Sequence, residues 1–137
     1  MAVYSIATPQ ITINSVDLSD HLTDVSLTYE ADELDTTASG STTKTFIAGL
    51  KNWKIDATVN QDFAASSVDA TLFPLVGAAA FAVILKPTSA ATSATNPKFT
   101  GNGILTSYPP MSGAVGEKAS IKFTIRGTGT LTRATSD

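Results

Sequence analysis

The amino-acid sequence predicts a mainly β domain of about seven strands. We expect two packed antiparallel sheets, as a sandwich or an open barrel, with one inserted α-helix and a long loop after the early strands. Three observations predict this class. Residues 53–63 and 121–126 alternate between apolar and polar side chains, the period of a half-buried strand. Serine and threonine supply 35 of the 137 residues, and threonine favours strands. Only one segment has helical periodicity, and the length suits a single domain spanning residues 1–137.

The first strands lie in residues 11–30. Residues 11–18 predict two short strands around Asn14-Ser15, because asparagine tolerates the left-handed backbone of a two-residue hairpin turn. In the strand that follows, Val25, Leu27 and Tyr29 share one face. These positions predict an opening hairpin and a third strand.

Residues 31–49 interrupt the pattern. This stretch has little apolar content before Phe46 and Ile47, begins with acidic residues and continues as a Ser/Thr/Gly run. We expect a loop over the whole stretch. A loop of this length in so small a domain is usually functional or disordered.

The strand at residues 53–63 has two contrasting faces. One face is apolar and is predicted to lie in the core; it comprises Trp53, Ile55, Ala57, Val59 and Phe63. The other face is polar and carries both charge signs; it comprises Lys54, Asp56, Thr58, Asn60 and Asp62.

One helix is predicted at about residues 66–77. Ser66 and Asp69 have the spacing of a capping box, Pro74 favours a kink or an end, and Gly77 is a stop signal. One apolar stripe comprises Val68, Leu72, Leu75 and Val76.

The second half of the chain predicts three more strands. They begin near residues 80, 99 and 120, and the small polar segment 88–97 predicts a loop between the first two. The glycine pairs of "GNG" and "GTG" lie in predicted strands and lead into no helix. They indicate bulges or turns and not a phosphate-binding loop.

No motif for catalysis emerges. The chain has no cysteine, and its only histidine, His21, is predicted to be solvated. The carboxylates of residues 30–35 fall in the predicted loop, where nothing would hold a catalytic pair. We therefore expect neither an enzyme nor a cofactor or metal site.

Nucleic-acid-binding and membrane proteins are also disfavoured. The formal net charge is −3 and no cluster of lysine and arginine occurs, so a sequence-independent grip on DNA or RNA is not expected. The apolar run 72–85 is shorter than the roughly 20 residues that a membrane span needs. Membrane insertion is therefore not expected.

The order of these features resembles the major tail tube proteins of long-tailed bacteriophages, which are related to the tube proteins of contractile tails and type VI secretion. The matching pieces are "ITINSVDLSDHL", "VSLTYEADELDTTASGSTTKTFIAGLKNWKIDATVNQDF", a helix and "GEKASIKFTIRGTG". The second piece is the most specific, because a Ser/Thr-rich loop leads through "GLKNW" into a long alternating strand.

The resemblance implies a structural virion protein. In that family six subunits form a ring, one sheet of each subunit joins a continuous barrel around a channel, and rings stack into a tube that carries DNA. The loop after the early strands reaches the neighbouring ring. Implied partners are further copies of the chain and the tail terminator, tape measure and tail tip proteins. DNA passes transiently without specific binding. The implied location is the virion tail, with the host cytoplasm during assembly.

Two sets of site residues follow from the resemblance. The channel lining is predicted to be Lys54, Asp56, Thr58, Asn60 and Asp62, a neutral-to-acidic surface; the rival lining is Lys122, Thr124 and Arg126. The predicted inter-ring loop contributes Asp32, Glu33, Asp35, Thr36, Thr37, Ser39, Gly40, Ser41, Thr42, Thr43 and Lys44.

Two other interpretations fit the same sequence. One is a monomeric β-sandwich that binds carbohydrate, similar to an adhesin, with Tyr108 as a stacking residue. The other is a different virion protein, such as a capsid decoration or head–tail connector protein.

Overall fold

The computed structural model describes residues 3–136, which form one seven-stranded antiparallel sheet. The strands are β1 Gln10–Ile13, β2 Val16–Asp17, β3 Leu22–Asp35, β4 Phe46–Asn60, β5 Phe81–Lys86, β6 Lys98–Leu105 and β7 Ser120–Ala134. Their order in the sheet is β2-β1-β5-β6-β7-β4-β3. The helical segments are α1 Val68–Leu72 and two 3₁₀ turns, Ser19–His21 and Phe73–Leu75.

The predicted mainly β class, with seven strands and one helix, is confirmed. The strands make a single open sheet and not two, because β7 pairs with β4 through residues 120–126 and with β6 through residues 125–134. The sheet curls on itself: Val25 and Leu27 of β3 line the same cavity of about 270 Å³ as Leu85 of β5. Of the two predicted forms, the open barrel therefore describes this fold.

The core lies on the concave face of the sheet. Ile55, Ala57 and Val59 of β4 lie opposite Ile125, Phe123 and Ile121 of β7, and all six are buried. Phe63 was predicted to join them, but this is wrong. It follows the end of β4 and is 64% exposed, because the alternation has no structural meaning once the strand has ended.

The opening hairpin is confirmed, whereas the long loop is shorter than predicted. Asn14 and Ser15 both have positive φ, as a two-residue turn between β1 and β2 requires. Residues 31–35 and 46–49 do not belong to a loop, because they extend β3 and β4, and only residues 36–45 connect the two strands. We call residues 31–50 the hairpin arm. Pairing of the two strands holds its backbone although almost all its side chains are exposed, so no burial pattern marks it in the sequence.

The helix is shorter than predicted. Val68, Leu72 and Leu75 are buried as expected, but Val76 is 41% exposed because the helical segment ends at Leu75. The predicted capping box is wrong. Ser67 and not Ser66 occupies the N-cap, and no side chain caps the helix there.

Trp53 is the side chain around which the middle of the sheet is built. It is 1% exposed, and its indole N–H donates to the carbonyl of Gly129 at 3.2 Å. A Cβ at Gly101 would lie 2.5 Å from the indole, and one at Gly127 would overlap it. The glycines of "GNG" and "GTG" therefore make room for the indole, in addition to the predicted bulge, which lies between Thr100 and Asn102.

Candidate functional site

The two rival linings lie on one surface. Lys54, Asp56 and Thr58 of β4 are the direct cross-strand partners of Arg126, Thr124 and Lys122 of β7. Since directly opposed residues point to the same side of a sheet, these six side chains share the convex face, away from the core. Asn60 extends the row opposite Ser120. We call the convex side of β3, β4 and β7 the polar face.

Asp62 does not belong to the polar face. It follows the end of β4, and its carboxylate accepts hydrogen bonds from His21 Nε2 at 2.8 Å and from the N–H of Ala64 at 2.9 Å. The prediction placed Asp62 in the lining because it continued the alternation of β4 beyond the end of the strand, the same error as for Phe63.

The charges of the polar face come from β7 and β3 as well as from β4. Asp56 accepts a hydrogen bond from the Thr124 hydroxyl at 2.5 Å and lies 3.8 Å from the Lys54 ammonium. Lys122 and Arg126 form no ion pair within residues 3–136. The paired stretches of β4 and β7 thus present three cations and one anion. Asp24 and Glu30 of β3 lie opposite Thr58 and Asn52 of β4 and add two anions, so the charges of the polar face balance. The prediction counted the charges of β4 alone, because the sequence did not reveal that β7 is the neighbour of β4.

The tip of the hairpin arm has a defined structure. The N–H of Thr36 donates to the carbonyl of Thr45 at 2.8 Å, and the two hydroxyls lie 2.8 Å apart. The N–H of Thr37 donates to Asp35 at 2.8 Å and lowers the pKa of that carboxyl. All predicted inter-ring residues lie on the arm and are exposed: Asp32, Glu33 and Asp35 in β3, and Thr36, Thr37, Ser39, Gly40, Ser41, Thr42, Thr43 and Lys44 in the connection.

The hairpin arm also carries exposed apolar side chains that the predicted set of inter-ring residues did not include. They are Leu34 at 48%, Phe46 at 47%, Ile47 at 56% and Leu50 at 82% exposure. Leu34 and Ile47 are cross-strand partners, so they form one contiguous apolar pair. A group of large apolar side chains on a protruding element is characteristic of a protein–protein contact.

His21 is held by three side chains and is not free in solvent. Its Nδ1 lies 2.8 Å from Asp20, and its Nε2 lies 2.8 Å from Asp62 and 3.1 Å from the Ser67 hydroxyl. Asp62 first and Asp20 second raise the pKa of His21. Each ring nitrogen of His21 faces a carboxylate, to which it can only donate, so neither nitrogen is placed to accept a proton from serine. The arrangement therefore favours a structural tie between the 3₁₀ turn before β3, the end of β4 and the start of α1. In the sequence, only the presence of a single histidine drew attention to this cluster. No local pattern identified its distant partner, Asp62.

The His21–Asp62 tie gives a pH dependence of stability that can be tested. Raising the pKa of His21 above 6.5 adds stability that is complete below pH 6.5 and is lost as the pH rises through the folded-state value. The pKa of Asp62 falls to about 2, so its contribution is complete above pH 3.8 and is lost toward pH 2. We expect this contribution to be largest between pH 4 and 6.5.

Thermal unfolding of the wild type and of Asp62→Asn from pH 3 to 9 measures this contribution. The difference between their unfolding midpoints should shrink on both sides of the window. A difference that is constant over the whole range would contradict the tie.

Tyr108 does not offer a free stacking surface. Its hydroxyl donates to Asp69 at 2.9 Å and accepts from the side-chain N–H of Gln61 at 2.8 Å, and its ring packs against the core. Burial raises the pKa of the phenol. The carbohydrate-binding interpretation therefore loses the residue that was assigned to it.

No helix within residues 3–136 has the length and apolar character that a membrane crossing requires.

Neither a protein-family model nor a curated protein matches the sequence significantly. Solved structures do match. A chain from the virion of a native gene transfer agent particle aligns with a TM-score of 0.71 at 15% identity, covering 93% of this chain and 95% of that one. A chain from the tail of an empty gene transfer agent particle, refined with C6 symmetry, aligns with a TM-score of 0.65 at 16% identity, covering 82% and 81%.

The fold is one found in a phage-like tail. The resemblance to tail proteins, inferred from the order of elements, is thus confirmed at the level of the fold.

Proposed function

We propose that this chain is a structural virion protein that assembles into stacked, hexameric rings, which form the tail tube through which DNA passes. The similarity of fold over most of the chain supports a tail component, and the C6 symmetry of the similar tail supports six copies in a ring. Further partners on this proposal are tail terminator, tape measure and tail tip proteins. On this proposal the protein is located in the virion tail, after assembly in the host cytoplasm, and it has no enzymatic role.

The observation that carries the proposal is the unprotected edge of β3. This strand has 14 residues, and β4 is its only strand neighbour within residues 3–136. Monomeric proteins shorten or cover such edges, because the free N–H and C=O groups recruit other strands. A closed ring with head-to-tail contacts gives every copy of this edge a neighbour. The hairpin arm extends the same edge with apolar side chains and is suited to reach the next ring.

The polar face is the proposed lining of the channel. Its side chains are threonine, serine and asparagine with a few charges, and the Asp56 carboxylate is already satisfied by Thr124 and Lys54. Lys122 and Arg126 attract phosphate, but two cations give only a weak and salt-sensitive contact. DNA can therefore slide along such a surface without being held.

Cysteine labelling tests the channel, since the chain has no cysteine of its own. Thr58 lies in the middle of the polar face, and its side chain makes no hydrogen bond within the described residues. In assembled tubes of Thr58→Cys, we expect a small maleimide to react while a large polyethylene-glycol maleimide is excluded. The dissociated subunit is the control and should react with both. Equal labelling of tubes and subunits by the large reagent would contradict a channel position.

A further inference from the structure

Two groups of exposed apolar side chains lie at opposite ends of β4. The first is on the hairpin arm, where β4 begins, and includes the cross-strand pair Leu34 and Ile47. The second lies where β4 ends and the loop that precedes β7 passes beside it, and there Phe63 is 64% and Met111 83% exposed. These two side chains line a cavity of about 430 Å³, which we call the end cavity. Its lining also includes Gln61, Pro110, Glu117 and Ala119.

The end cavity has a defined frame, which Gln61 provides. The side-chain N–H groups of Gln61 donate to the carbonyl of Pro110 at 2.6 Å and to the hydroxyl of Tyr108 at 2.8 Å. The backbone N–H of Gln61 donates to the carbonyl of Ala119 at 3.0 Å. The loop is therefore tied to the end of β4 at several points, while the large apolar side chains on the cavity remain open to solvent.

The hairpin arm cannot fill the end cavity of its own subunit. Strand β4 has 15 residues, so about 50 Å of extended chain separate the two apolar groups. A group that covers the end cavity must come from another molecule. In a barrel around a channel the strands run along the channel with a tilt, so the two ends of β4 face the two neighbouring rings. The arm of one copy then faces the end cavity of the next.

The charges beside the two apolar groups are complementary. The arm carries Lys44 near its tip and Asp35 opposite Phe46, and the loop at the end cavity carries Glu117 followed by Lys118. None of these four charges forms an ion pair within residues 3–136. An arm seated on the end cavity offers a lysine to Glu117 and a carboxylate to Lys118.

We propose that the hairpin arm of one copy binds the end cavity of a second copy, with Leu34 and Ile47 against Phe63 and Met111, and Lys44 beside Glu117. The proposal rests on the tube assembly proposed above and adds which surface receives the arm. Every copy supplies one arm and one cavity, so this head-to-tail contact repeats from ring to ring without closing on itself, as a stack requires. Removing the exposed apolar side chains from water is the favourable term.

Disulfide crosslinking tests the contact, since the chain has no cysteine of its own. In assembled tubes of the double variant Leu34→Cys with Met111→Cys, treated with the oxidant diamide, we expect a ladder of covalent oligomers on a denaturing gel without reductant. A mixture of the two single variants should give dimers only, and each single variant alone should give none. The matched control is Leu34→Cys with Ile6→Cys, because Ile6 is 60% exposed but lines other cavities. We expect no ladder from it.

A charge swap gives a second readout. Lys44→Glu places like charges beside each other at every arm, so the fraction of protein that sediments as tubes should fall. Adding Glu117→Lys to the same chain restores opposite charges and should restore the tubes. The unfolding midpoints should stay near that of the wild type, because both side chains are exposed and unpaired.

The outcomes separate this inference from the proposed function. Tubes of the double cysteine variant that yield no ladder would overturn the docking of the arm in the end cavity, and would leave tube assembly intact with another occupant for the cavity. Dimers from Leu34→Cys alone would indicate that arm meets arm, which also overturns it. Wild-type protein that forms no assembly under any condition would overturn the proposed function, and this inference with it.

Discussion

Gly127→Ala is expected to lower the free energy of unfolding by about 3 kcal/mol. The added methyl group would overlap the Trp53 indole. The indole cannot yield, because it is 1% exposed and is fixed by its hydrogen bond to Gly129. Gly127 does not have the left-handed backbone that alanine disfavours, so the effect is one of space alone. Denaturant unfolding followed by far-ultraviolet circular dichroism measures the loss.

A double-mutant cycle gives the matched control. In a Trp53→Leu background the methyl group has room, so Gly127→Ala should cost much less there than in the wild type. Thr128→Ala, at the exposed adjacent position, should have little effect in either background. If Gly127→Ala costs the same with and without the indole, the packing argument fails.

Deletion of residues 36–43 is expected to abolish tube formation while leaving the fold intact. The deleted residues are exposed and contribute nothing to the core, so the unfolding midpoint should change little. We expect tubes to need the arm, because its tip and its exposed Leu34 and Ile47 are the surfaces proposed to contact the next ring. Sedimentation and electron microscopy of the deletion should reveal subunits or single rings without stacks.

A replacement of equal length separates the effect of the length of the tip from the effect of its structure. Exchanging residues 36–43 for a glycine-serine linker retains the reach of the chain but removes the Thr36–Thr45 closure. We expect this variant to stack poorly. Tubes of normal length from the deletion itself would refute the role of the arm.

The sequence predicted those parts of the fold in which alternation reports burial. Val59 and Ile121 could be assigned to the core because each lies in a strand with one face on that core. The turn at Asn14-Ser15 could be predicted because its backbone demands particular residues. The hairpin arm could not, since strand pairing holds its backbone while both faces remain exposed.

The candidate site was predictable only strand by strand. The polar faces of Lys54 and Arg126 were each predicted correctly. That the two residues lie opposite each other depends on the pairing of β4 with β7, which are far apart in sequence. The same limit applies to His21 and Asp62, which are brought together by chain topology and not by any local pattern. Counting the charges of β4 alone therefore omitted Lys122 and Arg126, which share its surface.

Negative-stain electron microscopy of the purified wild-type protein over a range of concentrations is the most direct test of ring assembly. We expect rings with a central hole and six-fold class averages, and stacks of such rings at higher concentration. Assemblies without a central hole, or single subunits at every concentration, would contradict it.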